Sequence, residues 1–200
     1  MQEPFLFVGG RLWLDFVNTQ FADKGQSVDL LSDFETLLRW LTAAQAADEK
    51  VRESVAAWSS RDQKEIGRYA VRLRLVLRQA AERLARGEEI GDAALITVNE
   101  VLRSQRSSVR LTRTPTGYET TVHSEWVDNF ALLAPVAASF ADTLTGNDLT
   151  RLRNCEDPAC LLYFYDTSKN HARRWCSMEM CGNRHKVATH YQRSRQTAGE

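Results

Sequence analysis

No apolar run in this 200-residue chain approaches the ~20 residues that a bilayer-spanning helix needs; the richest, residues 131–138, is short and carries Pro135. Glycine and proline are scarce, at 10 and 4 residues, and this excludes collagen-like and disordered classes. No secretory leader is expected, because Glu3 and the interruption Gly9-Gly10-Arg11 break up the apolar letters of residues 1–18. The expected location is therefore the cytoplasm, with no membrane partner. A Walker A loop, a dinucleotide fingerprint and a nucleophile–base pattern are all missing, so the expected role is not enzymatic. Cysteine is absent from the first 154 residues.

The chain has 26 Lys+Arg against 26 Asp+Glu, but the balance is uneven along its length. Residues 1–150 carry 17 basic and 21 acidic side chains, a net of −4, whereas residues 151–200 carry 9 and 5, a net of +4. A basic end segment on a mildly acidic body points to a polyanionic partner.

The body reads as mainly helical. Phe5–Val8 is a candidate strand closing on the Gly9-Gly10 turn, and Leu12–Thr19 a first helix. Ser32-Asp33-Phe34-Glu35 has the form of a capping box, opening a helix with Phe34, Leu37, Leu38 and Leu41 inward. Asp48 can cap the next helix, with Val51, Val55 and Trp58 on one face. From Ser60 to the stop at Gly87 runs the longest element, with Ile66, Tyr69, Ala70, Leu73, Leu77, Ala80, Ala81 and Leu84 at helical spacing. Its other face, Arg68, Arg72, Arg78 and Arg86 with Arg74 to one side, reads as a solvated, salt-bridged surface. Asp92 caps a helix to about Gln105. Alternation over Val109–Thr114 and Tyr118–Val122 around Pro115-Thr116-Gly117 predicts a β-hairpin, and Val127–Leu144 returns to helical spacing with a kink or restart at Pro135. Gly146-Asn147-Asp148 marks the boundary between residues 1–147 and 148–200. Trp13, Trp40 and Trp58 are read as core anchors, and His123 has no partner visible in the sequence.

The four cysteines follow the pattern Cys155-x4-Cys160-x15-Cys176-x4-Cys181. Two close pairs on one short segment are what a tetrahedral Zn²⁺ requires, and reduced thiols in a cytosolic chain favour metal over disulfides. Four thiolates leave no open position for water, so the ion is structural. About 45 residues cannot bury enough apolar area to fold alone, so ligation would supply the missing stability. The apolar arms Leu161–Phe164 and Arg174–Trp175 around residues 166–170 predict a hairpin between the pairs. Ser177 can cap a helix to about Arg195 carrying Cys181 in its first turn. The fold class is thus mainly α with a small β-hairpin (α+β): a helical N-terminal domain followed by a treble-clef-like zinc finger of knuckle, hairpin and helix. With four thiols present, His171, His185 and His190 are left out of the ligand set.

Cys181-Gly182-Asn183-Arg184, with Phe164-Tyr165-Asp166-Thr167-Ser168 and Arg173-Arg174-Trp175-Cys176-Ser177-Met178, resembles the CGNR zinc-finger family over roughly residues 148–195. Upstream, Leu14-Asp15-Phe16-Val17-Asn18-Thr19 and the helical sequence after it resemble the ABATE domain that accompanies this finger. The resemblance implies a bacterial, stress-linked transcription regulator whose finger binds DNA.

On a helical wheel Met180, Val187, Ala188 and Tyr191 share the face expected to pack on the hairpin, and Arg184 lies in that stripe. Arg184 is therefore read as architectural, with Asp166 as its expected partner. Asn183, at the edge of the stripe, either caps a loop or reaches a base. Candidate nucleic-acid contacts are Lys186 and Arg193 with flanking His185 and His190, then Lys169, Arg173 and Arg174, with Arg151 and Arg153 ahead of the first cysteine pair. Trp175 and Phe164 are read as finger core. Asp15 and Asn18, one helical turn apart, either line a pocket for a small-molecule effector or make local hydrogen bonds. Competing functions are an RNA or single-strand binder stacking bases on Tyr163, Tyr165 or Tyr191, and a protein-interaction module. A single finger is small for tight specific binding, so a homodimer is expected.

Overall fold

Apolar residues recurring every three to four positions make Ser60–Ala85 the spine of the molecule. The computed structural model describes residues 5–23 and 26–187. In chain order it contains α1 (Leu12–Val17), β1 (Gln20–Asp23), β2 (Gln26–Asp29), α2 (Phe34–Ala43), α3 (Glu49–Ala56), α4 (Ser60–Ala85) and α5 (Asp92–Arg103). These are followed by β3 (Gln105–Thr114), β4 (Gly117–Trp126), a 3-10 turn at Asn129–Leu133 and α6 (Ala134–Gly146). A second 3-10 turn, Leu149–Arg151, leads into β5 (Leu152–Asn154) and β6 (Tyr163–Tyr165), and a π-type turn spans Met178–Gly182. Three antiparallel two-stranded sheets, β1–β2, β3–β4 and β5–β6, stand on this mainly helical frame.

The buried side of α4 contacts α1, α2, α5 and β5. Ser59 caps it, accepting from the Asp62 amide, and Gly87 ends it at φ +74°, where a side chain would be strained. α1 has only six residues but sits at the centre: Trp13, Leu14, Phe16 and Val17 are fully buried. The Trp13 indole donates to Thr143 Oγ1 at 3.0 Å and meets Phe140 edge-on at 5.0 Å, joining α1 to α6.

Several expectations shift in detail. Residues 5–8 form no strand ladder; Phe5 packs on the helical core, and Leu6 and Val8 pack on the cysteine cluster. Asp33, not Ser32, caps α2, its Oδ1 accepting from the Thr36 amide at 2.8 Å while Ser32 Oγ bonds Asp33 Oδ2. The carboxylate, the stronger acceptor, takes the cap and no Ser32–Glu35 box forms. Gly91 precedes α5, and Asp92 is its first residue rather than its cap. Pro135 lies in the first turn of α6, where its missing N–H costs nothing. The β1–β2 pair was not foreseen, because residues 20–29 alternate too weakly to be seen as strands.

The largest correction concerns the arginines of α4. Arg86 is salt-bridged to Glu82 and Glu88 on the surface, as expected. Arg74, however, is buried, and forks onto Asp29 at 2.7 and 2.5 Å while also donating to Thr19 Oγ1. Burial would raise the Asp29 carboxyl, but the Arg74 hydrogen bonds outweigh it and hold Asp29 below the ordinary carboxylate range. Arg78 donates to the carbonyls of Val17, Gln20 and Leu161. Both residues are cross-braces: Arg74 ties α4 to Asp29 of β2, and Arg78 ties it to the ends of α1 and β1. Arg74→Ala is therefore expected to lower unfolding free energy by about 2–4 kcal/mol in zinc-loaded protein, and exposed Arg68→Ala by no more than about 0.5, as measured by urea denaturation.

Candidate metal centre and nucleic-acid interface

Cys155 and Cys160 sit on the loop that joins β5 to β6, in register Leu152↔Tyr165, Arg153↔Phe164 and Asn154↔Tyr163. The Cys155 amide donates to Leu162 O at 3.0 Å and the Cys160 amide to Asp157 O at 2.8 Å, which shapes the knuckle. The hairpin expected between the two cysteine pairs does not form. Residues 163–165 pair back with β5 because Leu152, Tyr163 and Tyr165 bury against the helical core, and the knuckle meets the later arm through Glu156 N to Arg174 O, the Arg174–Glu156 pair and the Cys176 amide donating to Cys155 Sγ. Ser177 caps the final turn, its Oγ accepting from the Met180 amide, and residues 183–187 continue as helix. Gly182 sits against Met178 and Trp175: a Cβ there would run into Met178 Sδ and come 3.2 Å from Trp175 Cδ1.

These elements bring Cys155, Cys160, Cys176 and Cys181 together, with all four sulfurs within 4.8 Å of one another and none disulfide-bonded. Cys160 Sγ is 3.8 Å from Cys176 Sγ, which is 3.6 Å from Cys181 Sγ. A tetrahedron with Zn–S bonds of about 2.3 Å has edges of about 3.8 Å, so the spacing fits zinc and is far too long for a disulfide of about 2.05 Å. Sulfur hydrogen bonds from Cys160 and Cys176 pull the Cys155 thiol down to about 2. The Cys155 sulfur pushes the Cys160 and Cys176 thiols up, and burial does the same to Cys181. The sulfurs cannot all ionise unaided, and a divalent cation supplies the missing charge. Phe164, fully buried, and half-buried Trp175 pack around this cluster with Leu6, Val8, Phe21 and Met180.

Of the two readings of Asp15 and Asn18, the structure shows the hydrogen-bonding one: both side chains are buried and bonded to backbone groups. Asp15 Oδ1 accepts from the Gly9 amide at 2.7 Å, and burial raises its carboxyl to about 6 against the backbone hydrogen bonds that lower it. Asn18 is fully buried: its Nδ2 donates to Tyr163 O at 2.8 Å and its Oδ1 accepts from Tyr163 N at 3.0 Å. Tyr165 N donates to Gly9 O at 2.8 Å. The outer edge of β6 is thus closed by the first helix and the segment before it. Gly9 is required there, since a Cβ would fall 2.7 Å from Leu14 Cβ, and Gly10 turns at φ +71°.

The basic residues divide in two. Arg173 donates to the carbonyls of Val8 and Trp175 at 2.9 Å and also to that of Cys176, and its guanidinium lies 4.4 Å from the Phe164 ring centre. It is a strut, not a free phosphate contact. Arg174 pairs with Glu156 at 2.6 Å and stacks over Trp175. Arg151 and Arg153 bond the carbonyls of Asp166 and His171. Arg184 pairs with Asp157, not with Asp166: Nη1 lies 3.2 Å from Oδ2 without a directed hydrogen bond. Asp166 is committed to the amides of Ser168 and Arg173 inside its own loop. Asp157 was missed because an acid inside a knuckle carries no distinguishing spacing. Lys169 and Lys186 are exposed, with no ion pair recorded among the described residues, and Asn183, Arg184, His185 and Val187 are exposed beside Lys186. The exposure of Val187 departs from the expected packing stripe. His185 stacks on Trp175 at 4.7 Å. Tyr163 and Tyr165 are buried and cannot stack bases, and His123 meets Thr121 Oγ1 at 3.1 Å. His190, Tyr191 and Arg193 lie outside the described residues.

Residues 10–147 match the ABATE family model, described as a putative stress-induced transcription regulator, and residues 151–194 match the CGNR zinc finger. No curated protein matches the chain. The finger match and the sulfur geometry together assign one zinc site. No helix among the described residues is long and apolar enough to cross a membrane.

Asn18→Ala removes two buried hydrogen bonds and orphans the Tyr163 amide and carbonyl. It is expected to cost about 2–4 kcal/mol in zinc-loaded protein by thermal or urea unfolding, whereas Asn147→Ala, which removes a partly exposed bond from Arg11 and an exposed one to Asp142 O, costs under about 1.

Proposed function

The chain belongs to the ABATE family, and from that membership and its zinc finger we propose a cytoplasmic DNA-binding transcription regulator whose zinc-organised terminal helix docks on duplex DNA. The observation that carries this reading is the exposure of all five residues 183–187, which include Arg184, His185 and Lys186, directly after the last zinc ligand. A helix held to its finger by Arg184 on Asp157 and His185 on Trp175, yet exposed along residues 183–187, can present that surface to a groove. Lys169 adds a second exposed cation. Burial of Tyr163 and Tyr165 argues against the single-strand reading, which needs free stacking platforms. The proposal contains no catalytic step, since four thiolates fill the zinc shell.

Fluorescence anisotropy on random-sequence duplex tests it. With three or four phosphate contacts, log affinity should fall with log salt at a slope of about −3 to −4. Lys186→Glu should weaken binding about tenfold and flatten that slope while zinc stays at one per chain. Undetectable binding by zinc-loaded protein at low salt contradicts the proposal.

A further inference from the structure

Asp157 lies inside the knuckle, between the first two zinc ligands, and its side chain is 8% exposed. Its Oδ1 accepts from the Ala159 amide at 3.0 Å and its backbone carbonyl from the Cys160 amide at 2.8 Å, so the metal loop itself fixes the carboxylate. Its Oδ2 is buried and takes no hydrogen bond among the described residues. The one cation among those residues within ion-pair reach of that oxygen is Arg184, with Nη1 at 3.2 Å. Arg184 cannot leave this position without stranding a buried carboxylate. Yet its side chain is 54% exposed, and none of its donors is hydrogen-bonded to another described residue. The guanidinium is thus anchored by charge at one nitrogen and keeps its donors free.

We propose that Arg184 is the base-reading residue of the finger, held by Asp157 and donating two N–H groups to O6 and N7 of a guanine in the major groove of duplex DNA. The inference rests on the DNA-binding reading above and assigns the base contact within it. A guanidinium has five donors and no acceptor, so it matches an edge with two acceptors, and in the major groove guanine presents that pair. Adenine places an amino group where guanine has O6. Phosphate oxygens also accept, but the Asp157 carboxylate offsets the charge that draws a cation to the backbone, and a neutral pair gains little from counterion release. Lys169 and Lys186, exposed and without an ion pair among the described residues, suit the backbone instead. The position of Arg184 agrees with this division. It lies just after the last zinc ligand, at the start of the exposed helical stretch, where a helix entering a groove places its base contacts. His185 beside it stacks on Trp175 at 4.7 Å, so the turn is tied to the finger on two sides. An arginine held in this way has less freedom to lose on binding than a loose one.

The test is to sequence the duplexes that the full zinc-loaded chain retains from a random library, then to measure anisotropy on the preferred site. One guanine is expected whose replacement by adenine weakens binding about tenfold or more. Arg184→Lys should bring that ratio to within about twofold, because an ammonium lacks the planar fork. Asp157→Asn keeps an oxygen for the Ala159 amide but removes the charge that holds Arg184. It should lower the ratio at least about threefold and steepen the fall of log affinity with log salt by up to about 1, since Arg184 regains a free charge. A merely structural role would not lower the ratio and steepen the slope together. Lys186→Glu should weaken both duplexes alike and keep the ratio. Zinc at one per chain identifies the folded variants, and Arg184→Lys, a change on an exposed side chain, carries the test if Asp157→Asn loses its metal. Duplex binding without a guanine preference overturns this inference and leaves the DNA-binding reading in place, as does a preference that survives Arg184→Lys. An absence of duplex binding at low salt overturns both.

Discussion

The two hydrogen bonds between the Asn18 side chain and the Tyr163 peptide govern how the zinc finger is held. An amide side chain presents a donor and an acceptor side by side, as a neighbouring strand would, and Asn18 presents them at 2.8 and 3.0 Å to the exposed edge of β6. Gly9 O takes the next free amide, that of Tyr165. The finger's short sheet therefore ends not in solvent but on the first helix of the body. Two other bonds lock the same junction: Asp15 fixes the Gly9 turn, and Arg173 reaches from the finger to Val8 O. Leu152, Tyr163 and Tyr165 lie in the same buried cluster as Trp13, Phe16 and Leu77. A finger too small to fold alone gains both a metal and a neighbour.

Arginine carries much of this cohesion. Arg74, Arg78, Arg151 and Arg173 each turn inward to satisfy carbonyls or a carboxylate that the short sheets leave open. A planar guanidinium with five donors suits that work better than a lysine ammonium would. It also removes these residues from the pool of free positive charge. The formal +4 of residues 151–200 thus overstates what a polyanion can meet, and among the described residues of that segment Lys169 and Lys186 are the exposed cations without an ion pair.

What could be read from residues alone follows from how local the signal is. The zinc ligands were legible because four sulfurs in 27 residues constrain one another directly. α4 was legible because its apolar period persists over seven turns. The capping of α3 by Asp48 is equally local. The partner of Arg184 and the direction in which Tyr163–Tyr165 pairs were not legible, since both depend on contacts with distant segments. The Leu14–Thr19 motif stood out, but its purpose is set by Tyr163, 145 positions away from Asn18. The arginine misreadings have the same cause: Arg74 and Arg78 turn to Thr19, Asp29, Val17 and Gln20, all far from them in the chain.

The central claim is that the finger and helical body are one cooperative unit joined through α1. Hydrogen exchange on zinc-loaded and chelated protein tests it most directly. The account predicts that stripping zinc lowers protection of the α1 amides, residues 14–18, together with that of β5 and β6. Full protection of α1 while the finger alone exchanges freely would contradict it.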